Sequence, residues 1–160
     1  MDETTLAETY RRCGATIFRR CLKLLGDPAL AQDATQEVFV RLIRHGGRLE
    51  PREGYLPWIY RVATNHCLNL LRDEARLVTL DLDSLAVTAD LSLVSYAQRD
   101  LTVRLLRRFD DTTAAVAVLA LVDGLSQEEI AEVLEISRKT VGRKLRHFIE
   151  RAQRFVGEAG

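Results

Sequence analysis

Five residues spaced at steps of three and four, Trp58, Arg61, Asn65, Asn69 and Arg72, carry the side chains that handle unpaired nucleic-acid bases. An indole ring stacks on a base, asparagine amides read base edges, and arginines hold phosphates. On a helix turning about 100° per residue they fall within roughly 80° of arc. Ile59, Ala63, Cys67 and Leu70 then take the opposite, core-facing side. The residues alone leave a second arrangement open, with Trp58 buried under a neighbouring loop beside a solvated polar face.

A second cluster lies near the C-terminal end. From Ser137 to Phe155 the cations Arg138, Lys139, Arg143, Lys144, Arg146, Arg151 and Arg154 face a single acid, Glu150. Upstream, Ser126-Gln127-Glu128-Glu129 reads as a capping box, in which a serine hydroxyl takes the N3 amide and the glutamate reaches back. A short helix with Ile130, Ala131, Val133 and Leu134 follows. Glu135-Ile136-Ser137 makes a turn, and Ser137 caps the next helix. There Val141, Leu145, Phe148, Ile149, Ala152 and Phe155 hold the apolar side. Arg138, Lys139, Thr140, Arg143, Lys144 and His147 are left facing outward near its start. This is a helix-turn-helix, which reads a groove with the N-terminal residues of its second helix while cations neutralise phosphates. A solvated amphipathic helix is the plainer alternative. The capping box, the tight turn and the one-signed charge favour DNA.

Other chemistry finds little support. Cys13, Cys21 and Cys67 are an odd number without a C-x-x-C pair, which argues against a disulfide framework. Cys13 and Cys21 share a stripe with Leu6, Tyr10, Ile17 and Leu24 and read as small core residues. His45, His66 and His147 are scattered, so neither a zinc site nor any other cofactor is expected. No nucleophile, metal cluster or phosphate loop argues for an enzyme. No apolar run approaches the length of a membrane span, and the start MDETTLAETYRR lacks an export signal. A soluble, cytoplasmic protein without membrane insertion is the expectation. The net charge is zero, with 23 basic and 23 acidic residues, but the signs are segregated. Between Leu77 and Gln98 the charges are Asp81, Asp83 and Asp90, without Lys or Arg.

The elements that must position these residues are all helical. A first helix ends at Gly26-Asp27-Pro28, where Asp27 caps the next and Pro28 suits its first turn. That second helix carries Leu30, Ala34, Val38, Leu42 and Ile43 on its apolar side and ends at His45-Gly46-Gly47. A loop with Arg48, Pro51, Arg52 and Gly54 leads to a third helix from about Leu56 to Arg76. A short helix around Leu101, Leu105, Leu106 and Phe109 precedes another, capped by Thr112 or Thr113 and broken at Asp123-Gly124. No β-alternation of useful length appears. The fold class is all-α: two small helical domains, 1–76 and 99–160, joined by an acidic linker, 77–98.

Together the two halves resemble the extracytoplasmic-function (group IV) class of bacterial RNA polymerase sigma factors. Asp33-x-x-Gln36-Glu37-Val38-Phe39-Val40-Arg41 resembles the family's polymerase-clamping helix. Tyr55-Leu56-Pro57-Trp58-Ile59-Tyr60-Arg61-Val62-Ala63-Thr64-Asn65 resembles its promoter-melting segment, and Asp123 to Leu134 resembles the start of its C-terminal helix-turn-helix. The match runs through nearly the whole chain in family order, which makes the halves a sigma region 2-like bundle and a region 4-like helix-turn-helix.

The resemblance implies that Asp33, Gln36, Glu37 and Arg41 bind the coiled coil of the largest-subunit clamp of core RNA polymerase, with the flap region as a second polymerase contact. It implies that Asn65 and the loop from His45 to Gly54 capture a flipped base of the −10 element. Arg48, Trp58, Arg61, Asn69 and Arg72 would join in melting. Ser137, Arg138, Lys139, Thr140, Arg143, Lys144, Arg146 and His147 would meet the −35 element. The linker would thread toward the polymerase active centre. Promoter DNA is thus an implied partner, and an anti-sigma factor a further candidate.

Three departures stand out. Glu135 occupies a position usually held by glycine, and a non-glycine left-handed residue costs about 1–2 kcal/mol. Gly142 stands where family members often carry a base, and weakens its helix by about 1 kcal/mol relative to alanine. Phe109-Asp110 replaces a Leu-Pro. Two rival readings follow: a polymerase-independent helix-turn-helix regulator binding duplex DNA as a dimer, and a degenerate sigma-like protein that binds polymerase without reading promoters. Gly142 favours the latter.

Overall fold

A computed structural model of the chain describes residues 1–48, 54–80 and 101–159. Helix α1, Glu3–Leu25, starts at Asp2, whose carboxylate accepts from the Thr5 amide at 2.7 Å. It ends at Gly26, which adopts the left-handed conformation (φ 70°) and donates its N–H to the Leu22 carbonyl. Helix α2, Pro28–His45, is capped by Asp27 with proline in its first turn, as the sequence predicts. A 3₁₀ turn, Gly46–Arg48, closes it.

Helix α3, Leu56–Leu80, runs four residues past the expected end at Arg76. Leu77 to Leu80 contain no glycine or proline, so nothing local stops it. The remainder of the expected linker, and Pro51 and Arg52 of the expected loop, lie outside the described residues. Helical residues 101–106 form α4. Helices α5, Asp111–Leu121, α6, Gln127–Leu134, and α7, Arg138–Ala159, follow. The described residues contain no strand.

The cap of α5 differs from expectation. It is Asp110, accepting from the Thr113 amide at 2.8 Å and the Thr113 hydroxyl at 3.0 Å. An aspartate placed before either threonine takes the orphan amide first, being a charged acceptor.

Periodicity explains the packing. Cys13, Ile17, Cys21 and Leu25 of α1 meet Ala31, Ala34, Val38, Phe39 and Leu42 of α2 and Ile59, Ala63, Cys67 and Leu71 of α3. Each such large side chain, fully buried, contributes about 1.5–3 kcal/mol. All three cysteines are buried free thiols. Two expected members of these stripes turn out. Tyr10 is exposed and packs edge-on against Phe39, and Ile43 is exposed.

Helix α5 is apolar on every side, and Thr113 through Leu119 are all buried. A helix of that kind must be enclosed, and α3, α6 and α7 surround it. The cores of the two halves interlock. Leu68 of α3 joins Leu106, Phe109 and Phe148, Val103 joins the first cluster, and Tyr60 packs against Val116, Ile130 and Val141.

Candidate nucleic-acid interface

The α6–α7 unit is built from local interactions. Ser126 and Glu129 form both halves of the capping box, at 3.0 and 3.2 Å. Glu135 then turns the chain in the left-handed conformation (φ 56°, ψ 42°), the one non-glycine residue with positive φ among those described. The Ile136 amide donates to the Ala131 carbonyl at 3.1 Å, and the Ser137 hydroxyl accepts from the Thr140 amide at 3.1 Å. Ile130, Val133 and Val141 lock the two helices together.

The outward residues of α7 divide into two rows. Lys139, Arg143 and Arg146 are exposed at steps of four and three, with Arg138 beside them paired to Glu128 at 2.9 Å. Thr140 stays with the Ser137 cap, whereas Lys144 and His147 have contacts at the start of α5. Lys144 is half-buried and 3.8 Å from Asp110, and His147 meets the Phe109 ring edge-on at 5.8 Å. Of the residues expected to face DNA, Lys144 turns toward the protein, where Asp110 supplies a partner, while His147 stays exposed with its ring edge-on to Phe109. Ile149, expected on the apolar side, lies at its exposed margin. Gly142 is half-buried against α6: a Cβ there would come within 3.2 Å of Gln127 Oε1. Its missing side chain therefore leaves room for Gln127.

On α3, Asn65 and Asn69 are exposed. Trp58 is half-buried and packs on the first core, while residues 49–53 of the neighbouring loop lie outside the described residues. Arg61 pairs with Glu135 at 2.7 Å, and Arg72 pairs with Asp111. Both arginines of the stripe are thus held by the second half of the chain. Arg48 is exposed at the end of its 3₁₀ turn.

On α2, Asp33 and Gln36 are exposed. Glu37 accepts from Arg41 at 2.9 Å, and the Arg41 hydrogen bond holds its carboxyl below the usual glutamate value. Arg41 also lies 3.4 Å from His66 Nδ1 on α3. Burial, then the Arg41 charge, lowers the His66 pKa. This contact couples the acidic face of α2 to the asparagine-bearing helix.

Residues absent from the sequence-level list occupy the junction. Arg20 Nε donates to Asp123 Oδ1 at 2.8 Å, with side chains only 3% and 9% exposed, so the pair is inside the protein. Arg20 also donates to Thr64, and its guanidinium lies 5.3 Å from the Tyr60 ring centroid. One signal for Arg20 was available: it lies three residues after Ile17 and four before Leu24, a charge within an apolar stripe, which requires a buried partner. Beyond the second row of α7, Arg108 stacks on Phe155 at 4.3 Å. With Phe109, Arg151 and Arg154 it lines a cleft of about 440 Å³.

Among the described residues no helix is long and apolar enough to cross a membrane, and no cluster of His, Cys, Asp or Glu could hold a metal ion.

Comparison with known proteins matches each half to a family. Residues 9–77 match Sigma-70 region 2, and residues 103–147 match Sigma-70, region 4. The ECF RNA polymerase sigma factor SigW of Bacillus subtilis is 27% identical over 157 residues, covering 88% of this chain and 82% of that protein. The RNA polymerase sigma factor CarQ of Myxococcus xanthus is 29% identical over 145 residues, covering 85% and 80%. Among solved structures, CnrH in complex with the cytosolic domain of CnrY shares the fold with a TM-score of 0.64 at 19% identity, covering 99% of this chain and 92% of that one. The sigma factor RpoE in complex with the anti-sigma factor NepR from Bartonella quintana gives 0.56 at 14%, covering 94% and 96%.

Proposed function

The chain belongs to the sigma-70 family of RNA polymerase sigma factors, its relatives being of the extracytoplasmic-function kind, and from that premise we propose how its surfaces are used. It acts in the cytoplasm as a group IV factor without catalytic chemistry of its own. The exposed face of α2, with Asp33, Gln36, Glu37 and Arg41, binds the clamp coiled coil of core polymerase. Asn65 and Asn69 take an unstacked base of the −10 element, because their amides are the exposed polar groups of the α3 stripe. Arg48, Arg61 and Arg72 hold nearby phosphates once Arg61 and Arg72 leave their acidic partners, while Trp58 supports the helix from within.

The row Lys139, Arg143 and Arg146, with Arg138, meets the −35 element. Thr140, Lys144 and His147 set the angle of α7, and Ser137 caps it. The cleft floored by Phe109 and Phe155 and rimmed by Arg108, Arg151 and Arg154 takes the flap region of the polymerase. A partner of the anti-sigma type is suggested by the complex of RpoE with the anti-sigma factor NepR.

The observation that carries this assignment is the coexistence on one chain of an exposed asparagine pair on α3 and an exposed cationic row at the start of a capped helix-turn-helix. Run-off transcription with core polymerase on a genomic fragment library tests it. Discrete transcripts that require both chain and polymerase are expected. Tight duplex binding as a dimer, without such transcripts, would establish the polymerase-independent regulator instead.

A further inference from the structure

The first turns of α6 and α7 meet at a residue without a side chain. On a helix turning about 100° per residue, Gly142 lies about 60° from Lys139, between the exposed row and Arg138. Arg138 is drawn to Glu128 of α6 at 2.9 Å, so this flank of α7 runs along the start of α6. Gln127, the residue before Glu128, lies over the gap. A Cβ at Gly142 would meet its Oε1 at 3.2 Å and its Cδ at 3.9 Å. Glycine at this position therefore admits a side chain from α6 to the edge of the cationic row.

The chemistry of the row leaves Gln127 a task. Lys139, Arg143 and Arg146 carry donors only, so they can hold phosphates or take the acceptors of guanine. Adenine presents a donor at N6 beside its N7 acceptor, and reading it requires an acceptor from the protein as well. The other acceptors on this flank are engaged. The Ser137 and Thr140 hydroxyls bond each other at 2.9 Å, and Ser137 also takes the Thr140 amide at 3.1 Å. Glu128 is held by Arg138. The half-buried carboxamide of Gln127 makes no hydrogen bond to any of the described residues. It offers one acceptor and one donor side by side, the pair that matches adenine N6 and N7.

We propose that Gln127 reads one A·T pair of the −35 element, taking N6 and N7 of its adenine beside the gap left by Gly142. The proposal rests on the assignment of the α7 row to the −35 element. It adds the residue that gives that surface a base preference its cations do not have.

The test uses the full chain on core polymerase and labelled duplexes carrying the −35 region of a fragment that yields a transcript. Each duplex has one base pair changed, and fluorescence anisotropy gives its affinity. With the unaltered chain, exchanging one A·T pair for G·C should weaken binding about 5- to 150-fold. Replacing its adenine by 7-deazaadenine, which lacks N7, should weaken binding by a smaller factor. Gln127→Met fills the same space without hydrogen bonding. It should abolish the preference at that pair and leave the preferences at other pairs as they were. Gly142→Arg, whose side chain displaces Gln127, should also remove the preference for adenine there.

Equal weakening of every duplex by Gln127→Met, with folding verified by circular dichroism, would make Gln127 a phosphate contact and overturn the proposal. Unchanged preferences would make it a filler of the gap and overturn it equally. Arg143→Ala on the same duplexes separates this proposal from the reading beneath it. If Arg143→Ala weakens binding while Gln127→Met alters no preference, only the role of Gln127 fails. If neither variant changes binding and no base pair of the series matters, the assignment of α7 to the −35 element fails with it.

Discussion

Helix α7 and helix α3 both carry nucleic-acid chemistry, yet the fold presents them in opposite ways. The cationic row Lys139, Arg143 and Arg146 stands in solvent, whereas Arg61 and Arg72 on α3 are tied to Glu135 and Asp111, leaving only Asn65 and Asn69 in the open. The net charge of zero has a structural counterpart here: acids of the second half neutralise arginines of the first. One helix holds its cations in solvent, and the other holds its arginines against the second half of the chain while its asparagines stay open.

The largest expected effect breaks the comparison on the α3 side. Asn65→Ala should leave polymerase binding intact and slow open-complex formation about 10- to 100-fold, since a well-made base contact is worth about 1–3 kcal/mol. Stopped-flow fluorescence of a promoter labelled in the −10 region reads the rate, and normal melting would remove Asn65 from that role. On the α7 side, Arg143→Ala should cost holoenzyme binding to −35-containing duplex about 1–3 kcal/mol and lower the salt slope by about one. Lys144→Ala, in the row turned toward Asp110, should cost clearly less. Equal losses in a salt titration would erase the distinction between the two rows.

Smaller effects sharpen it. Glu135→Gly relieves a left-handed residue by about 1–2 kcal/mol and gives up an exposed ion pair worth roughly 0–1 kcal/mol. Thermal unfolding should therefore show a net gain of about 1 kcal/mol, with Arg61 released from its tie. A loss of stability would mean that the tie outweighs the backbone strain. Gly142→Ala should add about 0.5–1 kcal/mol through helix propensity, with Gln127 shifting a few tenths of an ångström to admit the methyl group. Destabilisation in a urea titration would show that Gln127 is held in place.

Local features were the legible ones. The Ser126–Glu129 box, the Asp27-Pro28 start, the Ser137 cap and the Gly124 break each depend on neighbours within four residues, and each formed as read. The cap of α5 falls on Asp110 rather than on Thr112 or Thr113, the residues that the sequence reading offers. The end of α3 was read four residues early because the sequence beyond Arg76 changes composition without supplying a breaker. Lys144 reads as an outward cation, yet it is half-buried beside Asp110, because helical phase alone cannot tell solvent from a flanking residue. The Arg20–Asp123 pair joins residues 103 positions apart, and no periodicity reaches that far. The candidate surfaces were therefore readable as chemistry, while their covering depended on tertiary contacts.

The central claim, that this chain enables core polymerase to recognise and open a promoter, is tested most directly by permanganate footprinting on a fragment that yields a transcript. The account predicts reactive, unpaired thymines around the −10 element only when chain and core polymerase are both present, and their loss with Asn65→Ala. Thymines that stay unreactive in a stable ternary complex, or that react equally without the chain, would contradict it.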